Sequence, residues 1–168
     1  MIKDLLQEYI NNNLEQEPLK SRLFKVDKLF EESYYENEYS IRKTSINLDK
    51  YIENEQKESK FQKLLFKYID SKDLKDSDVY NKVGIDRRLF SKIRTDQNYH
   101  PSKDTVILLS LALELNEDEM LSLLNSASYT LPKNNVYDLI IRFCFINKIY
   151  DIKEVNNLLY EYNFKTLN

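Results

Sequence analysis

Apolar side chains recur three and four residues apart along most of this chain, the spacing that lines one face of an α-helix. Ile2, Leu5, Leu6, Tyr9 and Ile10 predict a short amphipathic helix before Pro18. Residues 20–50 show no sustained period. The helical pattern returns from Leu48, and Phe61, Leu64, Leu65, Tyr68 and Ile69 mark one face of a helix that ends near residues 70–72. Val79, Val83 and Ile85 come next, then Leu89, Phe90 and Ile93. Ser102, after Pro101, is a natural N-cap for a helix carrying Val106, Leu109 and Leu113. Asn116 followed by Glu119 has capping-box spacing and starts a helix through Leu121 and Leu124. Val136, Leu139, Ile140, Phe143 and Ile146 form another stripe. Asp151 opens a last helix with Val155, Leu158, Leu159 and Tyr162, so the chain is expected to close as a helical hairpin.

Composition narrows the fold class. One glycine and three prolines in 168 residues argue against a turn-rich β protein and for an all-α one. A single glycine also rules out the phosphate-cradling loops of nucleotide enzymes, which need several. From one His and one Cys no Ser-His-Asp or Cys-His arrangement can be argued, and a metal site would need many carboxylates that no stretch supplies at calcium-loop spacing, so no catalytic residue, metal or cofactor is expected. Cys144, between Phe143 and Phe145, reads as a small buried apolar residue, and His100 beside Pro101 as a surface one. No apolar run approaches the roughly 20 residues of a membrane span. The opening Met1-Ile2-Lys3-Asp4 lacks the features of a signal peptide, and a lone cysteine suits a reducing compartment, so a cytoplasmic location is expected.

Charge divides the chain into three regions. Residues 1–59 carry a net −4 and read as an acidic N-terminal extension, a short helix plus an irregular segment. Within it, Glu31 to Tyr39 mixes acidic and tyrosine side chains, which suits either a solvated strap or an arm for a protein partner. Residues 60–131 are neutral and residues 132–168 carry +1. These are expected to form a central domain and a C-terminal hairpin packed on it.

The most specific signal lies between Asp76 and Ile93. A helix-turn-helix joins two short helices at a steep angle across a tight turn. Its turn residue takes a left-handed conformation, which glycine adopts without steric penalty. The only glycine, Gly84, falls at that turn. Val79, Val83, Ile85, Phe90 and Ile93 fill the five positions that must be apolar.

On these residues, with Pro101-Ser102-Lys103-Asp104-Thr105 and Leu111-Ala112-Leu113-Glu114-Leu115-Asn116, the stretch from Phe61 to Leu124 resembles the five-helix Cro/lambda-repressor (XRE) DNA-binding domain. The whole chain also resembles small helix-turn-helix proteins of Gram-positive bacteria. The resemblance implies a DNA-binding transcriptional regulator, a homodimer by the habit of the family, whose second motif helix enters the major groove. That helix would begin after Asp86 and present Arg87, Arg88, Ser91 and Lys92 to base edges, while Lys82, Arg94 and Lys103 would meet phosphate.

Three positions depart from the family pattern. Asp76 stands where a Gln often donates to phosphate, Tyr80 where the helices usually meet over an Ala, and Leu89 where a polar residue is usual. An outward Leu89, like the acidic extension, would suit a protein contact. The competing expectation is therefore an interaction adaptor that keeps the fold without reading DNA.

Overall fold

In a computed structural model the described residues, 2–14 and 60–167, belong to one compact unit. They are all-helical: α1 (Ile2–Asn13), α2 (Lys60–Ser71), α3 (Asp76–Lys82), α4 (Arg87–Thr95), α5 (Lys103–Ala112), α6 (Glu117–Ser126), α7 (Val136–Ile146) and α8 (Ile152–Glu161). Among the described residues no helix is long and apolar enough to cross a membrane. The acidic stretch Glu31 to Tyr39 lies outside the described residues.

Polar side chains start most of these helices by accepting the orphan backbone N–H groups of the first turn. Asp86 accepts from the amide of Arg88, Ser102 from Thr105, Asn135 from Tyr137 and Asp151 from Lys153. Asn116 and Glu119 close a reciprocal capping box. α3 differs from these, because Lys75 precedes it without a side-chain cap.

α2, α3 and α5 to α8 end with one device, whereas α4 ends at Asp96 in extended backbone. Among the described residues six take left-handed backbone, with φ of 52° at Asp73, 68° at Gly84, 48° at Glu114, 62° at Ser128, 56° at Lys148 and 59° at Asn163. After each, the next amide reaches back five residues to a helical carbonyl: Leu74 to Ile69, Ile85 to Tyr80, Leu115 to Ser110, Tyr129 to Leu124, Ile149 to Cys144 and Phe164 to Leu159. These are Schellman terminations, and the residue that follows the left-handed one is apolar in all six. Of these six side chains Ile85 and Leu115 are buried, Tyr129, Ile149 and Phe164 are half-buried, and Leu74 is exposed.

α5 is the spine of the central region, with every residue from Thr105 to Ala112 buried. α3 and α6 pack on it, α2 packs on α6, and α7 continues the stack from α6. α8 folds back on α7, and α1, from the other end of the chain, packs on α7 as well. Leu6 and Ile10 of α1 are buried, and the Tyr9 ring lies 5.6 Å from that of Phe143. Lys3 pairs with Glu161 at 2.7 Å, and the Tyr162 hydroxyl donates to Gln7, so α1 is also fastened to the end of α8.

Two expected apolar stripes are narrower than their periodicity suggests. Ile2 and Leu5 of α1 are about half exposed, as is Ile146 at the end of α7. In α1 only the edge that carries Leu6 and Ile10 is buried. Cys144 is fully buried, and burial pushes its thiol up to about 12.

Candidate functional site

α3 and α4 meet across Val83-Gly84-Ile85. The amide of Ile85 donates to the carbonyl of Tyr80 at 2.9 Å, and Gly84, at φ 68°, supplies the left-handed step. Val79, Val83, Ile85, Phe90 and Ile93 are all buried, so both helices are seated by these five side chains. Tyr80 is accommodated without a small residue opposite it: its ring tilts onto Phe90 at 5.6 Å, and Phe66 of α2 meets Phe90 edge-on at 6.3 Å. Beside these rings lies an open groove of about 410 Å³, lined among others by Lys75, Ser77, Tyr80, Arg87 and Ser91.

The end of α4 is held by other elements. Gln62 of α2 donates to the carbonyls of Ile93 at 2.6 Å and Asp96 at 2.8 Å. Arg94 reaches Asp76, the first residue of α3, with Nη2 2.5 Å from Oδ1, and its guanidinium lies 4.0 Å from the centre of the Phe66 ring. Asp76 is thus neutralised within the protein.

The seven candidate DNA-contacting residues divide into two groups. Arg87, Arg88, Ser91 and Lys92 are exposed along one side of α4. Among the described residues neither Arg87 nor Arg88 makes an ion pair, and Lys92 rests over the Tyr99 ring at 4.9 Å. Lys82, Arg94 and Lys103 are each bound to a carboxylate instead. Lys82 pairs with Glu114 at the end of α5, and Lys103 with Asp138 of α7 at 2.6 Å. Asp138 is only 2 % exposed, so Lys103 compensates a charge that has left water. The neighbouring Tyr137 hydroxyl donates to Asp104 at 3.1 Å, and burial first, then the Asp104 charge, pushes the Tyr137 phenol well above its usual range.

Leu89 is not an outward side chain: it is half-buried and packs against the core. The pattern on α4 explains why, since Leu89 precedes Phe90 and lies four residues before Ile93, at the margin of the buried face. His100 is exposed, and its ring meets Tyr129 edge-on at 5.3 Å. The Tyr129 hydroxyl donates to the Pro101 carbonyl and so steadies the connection between α4 and α5.

Sequence reasoning did not find Asp138, Gln62 or Phe66. Asp138 carried a signal of a kind, a lone carboxylate inside the apolar run Val136 to Ile141. No protein-family pattern, characterised protein or solved structure matches the chain.

Proposed function

We propose that this chain is a DNA-binding transcriptional regulator whose α2–α6 segment is an XRE-like helix-turn-helix domain, with α4 as the recognition helix. The observation that carries the reading is the exposed side of α4, where Arg87, Arg88, Ser91 and Lys92 project from a helix whose opposite side is locked into the core. Arginine pairs bidentately with guanine, and serine and lysine reach bases or phosphate, so this side suits the major groove. Two copies would bind two half-sites about one helical turn apart, near 34 Å. The test is an electrophoretic shift against genomic fragments, including the region upstream of the protein's own coding sequence. A discrete, competitor-resistant complex supports the reading, and smearing alike on every fragment opposes it.

A second reading, an interaction adaptor, draws on a different observation. Three of the six candidate cations are already neutralised by Glu114, Asp76 and Asp138. Phosphate attraction is correspondingly smaller than the sequence suggests. Leu89, half-buried against the core, offers this reading a partly exposed apolar contact on α4.

A further inference from the structure

We infer that Arg94 is a positioning residue, which sets the direction of α4 through Asp76 and Phe66 and does not itself touch DNA. The inference rests on α4 being the recognition helix. Its basis is that one side chain ties three helices together. The edge of the Arg94 guanidinium is spent on Asp76 of α3, and its face lies over Phe66 of α2. With the Gln62 contacts to Ile93 and Asp96, the fastenings of α4 by polar groups from other elements lie at its C-terminal end. At the N-terminal end, Arg87 and Arg88 have only the local cap from Asp86. Buried side chains seat α4 along its inner face, and the polar fastenings at Arg94 fix the direction it keeps there, which Arg87 and Arg88 carry to the surface.

Electrostatics argue the same way. If Arg94 left Asp76 for a phosphate, it would strand a carboxylate beside a polyanion. Its charge is spent inside the protein, so it releases no counterion from DNA. The geometry also needs arginine. A planar fork can pair with a carboxylate while stacking on a ring, and a lysine ammonium cannot reproduce both. Half-exposed ion pairs contribute little to global stability, so loss of this one leaves the domain folded and acts on helix direction.

The test uses the full chain, a selected genomic fragment and an unrelated duplex. Asp76→Asn, Arg94→Ala and Arg94→Lys should each weaken binding to the selected fragment about tenfold, equal to about 1.4 kcal/mol. Binding to the unrelated duplex, which senses charge alone, should barely move, and the salt slope on the selected fragment should be unchanged. Ile10→Ala, a destabilising change in α1, should leave the ratio of the two affinities where it was. The inference is overturned if Asp76→Asn tightens binding and steepens the salt slope by about one unit, which is the signature of a freed phosphate ligand. Full retention by Arg94→Lys overturns it too, as does an equal loss of ratio in Ile10→Ala. If the unaltered protein shifts no fragment, the DNA reading fails by itself. Helix direction is then judged by spin labels on Ser71→Cys and Ser91→Cys: a distance distribution that broadens with Asp76→Asn and Arg94→Ala supports positioning, and an unchanged one overturns it.

Discussion

Lys103 and Asp138 form an ion pair at 2.6 Å between the first residue of α5 and a carboxylate of α7 that is almost wholly out of water. The pair joins the central helices to the C-terminal hairpin and takes a lysine away from the surface where the family pattern would place a phosphate contact. Removing one partner of such a pair strands the other charge. Lys103→Met is therefore expected to cost about 3 kcal/mol of stability. DNA affinity at temperatures where the variant stays folded should keep its salt slope. Denaturant unfolding and a salt titration check the two halves. A stable variant with a shallower slope would return Lys103 to the phosphate-binding set.

The six Schellman terminations predict opposite effects of substitution at positions that look alike. Gly84→Val should destabilise by about 1–3 kcal/mol, because a β-branched residue is poorly tolerated at positive φ. Lys148 at φ 56° already bears that strain. Lys148→Gly should relieve it and stabilise by about 0.5–1 kcal/mol after the entropic cost of glycine. Thermal denaturation of both variants measures the difference. A Gly84→Val midpoint equal to that of the unaltered protein would contradict the left-handed assignment.

Cys144 gives a pH dependence with a defined sign. An ordinary thiol loses its proton near 9, whereas burial holds the folded one up to about 12. Between those values the unfolded chain releases the proton and the folded chain keeps it. Stability is therefore lost as pH rises through that window, with a limiting slope of about 1.4 kcal/mol per pH unit. Cys144→Ala should flatten the decline relative to the unaltered protein. In the native state at neutral pH the thiol should also resist a disulfide-exchange reagent that modifies it quickly once denatured. Equal slopes, or rapid native labelling, would contradict its burial.

The all-helical fold was legible because the local signals agreed with one another. The caps at Asp86, Ser102, Asn116 and Asp151 are each satisfied within a few residues of sequence. The helix ends were less so. Of the six left-handed turns among the described residues only Gly84 announced itself: Asp73 and Asn163 are of types that visit that conformation but occur at many other positions, and Glu114, Ser128 and Lys148 carry no sequence mark of it. Their common feature, an apolar side chain immediately after the turn, has meaning only once the preceding helix is in place. Nothing in the period of residues 2–13 says that α1 meets α7, since amphipathicity reveals that a face is buried and not what buries it. The same limit governs the site. Lys82, Arg94 and Lys103 look like Arg87 and Arg88 in sequence and differ only in having a carboxylate within reach across another helix.

The most direct measurement of DNA reading by α4 is a fluorescence-anisotropy titration of a selected genomic duplex across a range of salt, with the unaltered protein and with Arg87→Ala/Arg88→Ala. Arg87, Arg88 and Lys92 are the three candidate cations without a carboxylate partner among the described residues, so the slope in log K against log salt should be no steeper than about −2.7 per protomer, the value if each neutralised one phosphate. All six candidate cations acting together would give about −5.4. The double variant should keep its fold and lose specific binding by about 1–3 kcal/mol for each bidentate base contact removed. A double variant that binds the selected duplex as tightly as the unaltered protein, with the same slope, would contradict the assignment of α4 as the recognition helix.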